Sequence, residues 1–409
     1  MRVERIGVIG AGTMGSGIAQ IACLGGYPTR LHDPIPAALD SGLERVGEDL
    51  AKGVERGRWS KAGAAAGRER LSGAPSLAEL AGCDLVIEAA PEDLELKREL
   101  FASLAAIFAG PETILATNTS SLPVTAIASR VPHPERVVGM HFFNPPALMK
   151  LVEVVATADS AEEALTATAE VGERMGRTPI RAKDSPGFIA NRLARPFTLE
   201  SLRILADGIT DVATIDRVCR IGGGFRMGPF ELIDLIGLDI NLSVARSFYA
   251  QGGEPERWRP SSIQEELAEK SRFGRKSGRG FFEYSEGSRR DPDPDLGIGA
   301  PTLDPEALAS IDSTGPLILP RLLAQIANEA AFALGEEVGS PADMDTAMRL
   351  GFNWPLGPLE IADLIGTASA LSLLEELQRS HGDAYLPAPL LRASAEHRTP
   401  LRSAENHLA

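Results

Sequence analysis

Four apolar residues, Ile6–Ile9, run into GAGTMG at Gly10 and then into the small-residue stretch SGIAQIACL. An apolar strand feeding a glycine turn and a helix predicts a parallel sheet with helical crossovers, because the turn lets the helix pack back on its own strand. Gly10 permits the tight turn, Gly12 lets a pyrophosphate approach the backbone, and Gly15 lets the helix pack closely, while the helix N-terminus offers N–H groups and partial positive charge. A lone G-x-G-x-x-G is weak evidence. Here a second strand, PTRLHD, follows, and its Asp33 lies eighteen residues beyond Gly15, where a ribose-binding acid is expected. A carboxylate there accepts hydrogen bonds from the ribose hydroxyls and repels a 2′-phosphate, which favours NAD over NADP.

The chain has 409 residues, room for two or three domains. A net charge of -15 argues against nucleic acid or an anionic membrane as partner, yet leaves a small anionic substrate open. Cys23, Cys83 and Cys219 are odd in number and widely spaced, neither a disulfide framework nor a zinc pattern, which fits a reducing cytoplasm. Residues Ile6 to Thr29 carry no charge and reach membrane-spanning length, but seven glycines interrupt them, so the expectation is strand, turn and helix rather than a span or signal peptide.

Residues 37–80 read as helical, with Leu39, Leu43, Val46, Leu50 and Val54 on one face, and then a Gly- and Ala-rich turn at KAGAAAG. Their Lys52, Arg56, Arg58 and Lys61 either meet phosphates or form a solvated face. A buried strand over Asp84–Ala89 then leads to a helix expected near Pro91, placing Glu92 and Lys97 at the carboxyl end of the sheet, where open α/β sheets bind ligands. TILAT runs into NTSSL and brings Asn118 and Ser120 to the same edge, Ser120 doubling as an N-cap for a helix near Pro123. VVGMHFFNPP brings His141 there too. Two prolines after Asn144 turn the chain, and KLVEVV returns with Glu153, which sets a carboxylate beside a histidine ring and would fix its tautomer as a general base. A half-buried histidine among aromatics and an edge-strand charge is the plainer alternative for these two residues alone.

From about Ala161 a helix and the strand TPIRAK complete the sheet, and the remainder is nearly all helical, with a boundary near Asp184. Asn191–Gly237 aligns without gaps to Pro320–Gly366 at a constant offset of 129 (320 − 191 and 366 − 237), including MGPFELIDLIG against LGPLEIADLIG. A duplicated helical domain follows. The resulting layout is 1–184 Rossmann-like, 185–284 first helical copy, 285–314 linker, 315–390 second copy and 391–409 a tail, loosely ordered from about Pro389. The second copy, with Pro320 in place of Asn191, is expected to keep the packing and lose the site, and to pack on the first copy.

From residue 4 to about residue 375 the chain resembles the L-3-hydroxyacyl-CoA dehydrogenase family, through GAGTMG, EDLELK, NTSSL, HFFNP with KLVEV, SPGFIANRL, MGP with DLIGLD, and KSGRGFF, in family order. The resemblance implies an α/β Rossmann-like NAD-binding domain followed by two repeated all-α domains, and oxidation of a (3S)-hydroxyacyl-CoA to the ketone in fatty-acid, butanoate or aromatic-acid catabolism. It makes His141 the base, has Glu153 orient it, has Ser120 hydrogen-bond the reacting oxygen or nearby ribose, and has Asn191 hold the thioester carbonyl. Its cofactor contacts fall on Gly10, Gly12, Gly15, Asp33, Glu92, Lys97, Ser120, Asn144 and Lys276, with Lys97 also placed to touch CoA. Non-CoA 3-hydroxy acids and 3-hydroxyadipyl-CoA stand as alternative substrates. No metal is implied, and the assembly expected is a homodimer or an internally pseudo-dimeric monomer.

Overall fold

The glycine turn is followed by the helix Thr13–Leu24, which packs back on the strand before it. The structure, a computed structural model, describes residues 1–286, 288–290 and 318–406. The chain divides into two compact units, Met1–Phe188 and Ile189–Ala409.

The first unit holds an eight-stranded sheet: β1 (Ile6–Ile9), β2 (Thr29–His32), β3 (Leu71–Ala74), β4 (Leu85–Glu88), β5 (Ile114–Thr117), β6 (Val137–Phe142), β7 (Leu151–Ala156) and β8 (Thr178–Lys183), in the order β3-β2-β1-β4-β5-β6-β7-β8. All pairings are parallel except β6 with β7. β1, β4 and β5 are buried throughout, which is why they read as apolar runs without alternation. The chain leaves β1 in one direction for β2 and β3, then returns to lay β4 on the other side of β1. That reversal opens a crevice beyond the carboxyl ends of β1 and β4.

Three local expectations change. Residues 37–80 hold the helices Pro36–Glu55 and Lys61–Arg70, the second running through the KAGAAAG expected to turn because Ser60 caps it by accepting the Gly63 N–H at 3.0 Å, but also the edge strand β3, whose sequence LSGA is too short and too small to show alternation. The helix expected near Pro91 begins at Leu94, because the Asp93 carboxylate caps it by accepting the Leu96 N–H at 2.8 Å. Ser120 does not cap the helix Val124–Ala128; Asp184 does, its two oxygens accepting the Val124 and Thr125 N–H groups at 3.0 and 2.8 Å.

The second unit shows the duplication in three dimensions. Pro229–Ile236 and Pro358–Ile365 start and end at the offset of 129. Each is capped at a distance by a buried aspartate, Asp216 accepting the N–H groups of Phe230 and Glu231 at 2.9 Å, and Asp345 that of Leu359 at 2.9 Å. Gly228 and Gly357 are the residues that let those carboxylates approach: a Cβ at either would lie 2.2 Å from the aspartate. The copies differ at their first helix. Ile318–Gly335 is continuous, whereas the first copy has Ala190–Leu193 and Arg195–Ala206, parted where Pro196 has no N–H to give. Gln325 occupies that place in the second copy.

The copies meet through reciprocal ion pairs. Arg192 bonds Glu329 at 2.7 Å and Glu336 at 2.6 Å; Arg321 bonds Glu200 and Asp207, both at 2.9 Å. Every member of one set is the other's equivalent at offset 129, so residue i meets j and its repeat returns the contact, as in a two-fold interface. Trp258 donates to Glu329 and Tyr385 to Glu200, each at 3.0 Å.

The tail expected to be loosely ordered from about Pro389 forms the helix Pro389–His397, begun by proline in its first turn, and then donates the Leu401 N–H to Asp363 at 3.1 Å. In the first copy the equivalent Asp234 accepts instead from Phe281 and Phe282 of the GRGFF segment and from Tyr284 just after it. Most of the expected linker, 285–314, lies outside the described residues.

Candidate active site

His141 is the fifth residue of β6 and stands directly opposite Glu153 of β7 in the antiparallel register. Directly opposed residues project to the same face, so the pairing follows from register alone. His141 Nδ1 lies 2.6 Å from Glu153 Oε2, with His141 5% exposed and Glu153 fully buried. The ring packs against Phe143 and Phe188, centroids 4.6 and 5.9 Å away. With Nδ1 committed to the carboxylate, Nε2 is the nitrogen left for chemistry.

β1 and β4–β6 run parallel, so their carboxyl ends share one edge. Asn118, just past β5, accepts the Phe142 N–H at 2.8 Å and so steadies the backbone one residue from His141. Ser120 follows on the same loop. Glu92 gathers that loop: its Oε1 accepts from Thr119 Oγ1 at 2.6 Å, from the Ser120 and Ser121 N–H groups at 3.0 and 3.2 Å, and from Ser121 Oγ at 3.0 Å. Burial opposes the charge on Glu92, but Lys97 and these donors outweigh it and hold the carboxyl below its ordinary range. Lys97 is 1% exposed and bonds Glu88 at 2.6 Å and Glu92 at 3.4 Å, so in this arrangement its charge organises the two carboxylates. Asn144, joined to Pro145 by a cis peptide, is exposed at the following turn.

Whether the glycine turn fits a dinucleotide can be tested on each glycine. Gly10 has φ +94, and a Cβ there would meet the Ala89 carbonyl oxygen at 2.5 Å. At Gly15 a Cβ would fall 1.6 Å from the Gly10 oxygen, so that glycine is demanded by packing. Gly12 is different: a Cβ would have nothing within 4 Å. The protein itself does not need that space. It opens on a cavity of about 790 Å³ lined among others by Gly10, Gly12, Thr13, Asp33, Ala89 and Pro91, at the β1/β4 crevice. Asp33 braces the turn by accepting the Ala11 N–H at 2.9 Å and the Ile35 N–H at 3.0 Å, and keeps lone pairs for ribose hydroxyls. These residues fit NAD.

Two contributors escaped sequence reasoning. Arg45 reaches from the helix Pro36–Glu55 to the Ala11 carbonyl at 3.0 Å and Ser16 Oγ at 3.2 Å, clamping the turn from outside; nothing set it apart from neighbouring surface charges. Glu88, fully buried, accepts from Lys97, Thr117 Oγ1 and the Ala90 N–H, each at 2.6 Å. A charge closing the apolar strand LVIE was its signal. Lys52, Arg56, Arg58 and Lys61 are all exposed. Asn191, half-buried in Ala190–Leu193, and Lys276, 2.6 Å from Asp239, belong to the second unit.

The family model described as 3-hydroxyacyl-CoA dehydrogenase, NAD binding domain, matches residues 5–185, and that described as 3-hydroxyacyl-CoA dehydrogenase, C-terminal domain, matches 187–284 and again 317–407. The chain belongs to the 3-hydroxyacyl-CoA dehydrogenase family. It is an NAD-dependent oxidoreductase. Within that family it is 36% identical to the 3-hydroxyadipyl-CoA dehydrogenase of Escherichia coli K12, over 97% of this chain and 98% of that one. A probable 3-hydroxybutyryl-CoA dehydrogenase of Bacillus subtilis is 39% identical over 70% of this chain and 99% of its own. A crystal structure of 3-hydroxybutyryl-CoA dehydrogenase from E. coli K12 superposes with a TM-score of 0.87 at 35% identity, covering 97% of this chain and 99% of that one.

Proposed function

We propose that this dehydrogenase oxidises the 3-hydroxyl of a (3S)-hydroxyacyl-CoA, with His141 as the base. The observation that carries the proposal is the 2.6 Å contact between His141 Nδ1 and the fully buried Glu153. Glu153 holds the proton on Nδ1, so Nε2 presents a lone pair and takes the hydroxyl proton; the carboxylate then stabilises the imidazolium that results. NAD, when bound, supplies the acceptor for the hydride that leaves C3. Phe143 and Phe188 keep water from the ring, and the Glu92-anchored loop holds Ser120 where its hydroxyl would bond the reacting oxygen or nearby ribose. Asn191 would hold the thioester carbonyl, and Lys276 and Asn144 would complete the cofactor contacts. The second helical copy, lacking an asparagine at position 320, would serve as the first copy's packing partner. Three buried free thiols suit a reducing cytoplasm.

His141→Gln is the direct test. It should lower turnover of (3S)-hydroxybutyryl-CoA by about 10²-fold or more while leaving NADH binding, read by nucleotide fluorescence, within about twofold. Near-normal turnover would remove His141 from the role.

A further inference from the structure

Arg195 begins the helix Arg195–Ala206 and is 6% exposed. Its Nε and Nη1 are buried without a hydrogen-bond partner among the described residues. The contact it does make is with the Phe248 ring, 5.4 Å from the guanidinium carbon to the centroid. Burial, with no opposing carboxylate among the described residues, pushes the guanidinium down to about 10. A lone buried cation is costly, and the unit's other deeply buried arginines at the copy interface, Arg192 and Arg321, are each held by two carboxylates.

Packing does not explain it. At the offset of 129 the second copy has Ala324 in place of Arg195 and Leu377 in place of Phe248, in helices of matching course. The copy that lacks Asn191 thus also lacks the arginine and its aromatic neighbour. The backbone stays helical through Ala194, φ −77 and ψ −17, so Asn191 and Arg195, four residues apart, share a face about 6 Å apart along the axis. In a six-carbon dicarboxylic acyl group, the thioester carbon and the far carboxyl carbon are five bonds of about 1.5 Å apart, a similar span once staggered.

We infer that Arg195 receives the terminal carboxylate of a dicarboxylic 3-hydroxyacyl-CoA of about six carbons, one helical turn from the amide that holds its thioester. The planar guanidinium, with paired N–H donors, matches a carboxylate, and ligand binding supplies the countercharge that the protein withholds. The assignment rests on the dehydrogenase reading and on Asn191 as the thioester contact, and it makes Arg195 a determinant of chain-end specificity.

The test compares (3S)-3-hydroxyadipyl-CoA with (3S)-3-hydroxyhexanoyl-CoA, equal in length and differing in the end carboxylate. Wild type should favour the dicarboxylic ester in kcat/KM by about 10²-fold, chiefly through KM. Arg195→Met should bring that ratio close to one, and Arg195→Lys should keep part of it. The thermal midpoint of Arg195→Met should be at or above that of wild type, because the variant removes an unpaired buried charge. Wild type that does not discriminate overturns the assignment, as does a variant that loses both activities alike and melts well below wild type. Oxidation of neither ester by wild type overturns the dehydrogenase reading itself, and this assignment with it; efficient oxidation of the hexanoyl ester alone overturns only the role of Arg195.

Discussion

Gly12 and Gly15 look alike in the sequence and face opposite constraints. Gly15 is pinned by the Gly10 oxygen, whereas Gly12 borders open cavity. Gly15→Val should therefore destabilise the first unit or prevent its folding, while Gly12→Val should fold with a wild-type melting curve and bind NADH at least about 10-fold more weakly; equal NADH affinity would show that the pyrophosphate does not cross Gly12. The same contrast marks what single residues disclosed in advance. Gly10, Gly12, Gly15 and Asp33 could be singled out in advance because the glycine turn is local, its parts lying within one strand-turn-helix unit and the strand that follows it. His141 and Glu153 were legible for a related reason: only eight residues separate β6 from β7, and a short antiparallel return leaves few registers. Arg195 was not legible. A buried cation without a partner is defined by what surrounds it, and a sequence does not print surroundings.

Elements were read well where periodicity ran long and poorly where capping decided the boundary. β3 was missed because an edge strand of four residues, one of them glycine, carries neither alternation nor bulk. The helix start that moved, from near Pro91 to Leu94, did so where the Asp93 side chain supplied the cap, and the cap of Val124–Ala128 passed from the expected Ser120 to Asp184, sixty residues away. The buried caps of the second unit yield a pH prediction. Burial raises Asp216 to about 7 and Asp345 to about 6, against two backbone donors each that favour the charged form. Each folded-state value lies above the ordinary carboxyl value of 3.8. The folded state therefore holds these protons more tightly than the unfolded chain, and the associated stability is complete below about pH 4 and is lost as pH rises through about 6 and 7. Asp216→Asn, which cannot ionise and has one acceptor oxygen for two N–H groups, should lower the urea midpoint of the helical unit by the equivalent of about 1–2 kcal/mol near pH 5, with the gap from wild type narrowing toward pH 7. A gap that widened over that range would refute the burial argument.

For the molecule as a whole, the notable arrangement is an interface of the kind found between identical subunits, written twice in one chain. Arg321 bridges Glu200 and Asp207 as Arg192 bridges Glu329 and Glu336. Arg321→Met leaves the fully buried Glu200 with Arg203 at 3.3 Å and Tyr385 at 3.0 Å as its remaining partners, and should cost about 2 kcal/mol in chemical unfolding; Arg195→Met, alike in chemistry but removing a charge that has no partner among the described residues, should cost nothing. The repeat itself was readable from the offset of 129, yet the reciprocity of its contacts was not, since nothing in a linear alignment says that Arg192 seeks Glu329 rather than its own copy's Glu200. Covalent continuity also changes what dilution does. Two separate subunits holding such a surface together obey mass action, and their association fails below the dissociation constant. Here the two faces share one backbone, so their encounter is first-order and indifferent to how much enzyme is present. The interface is thereby relieved of any need for high intrinsic affinity.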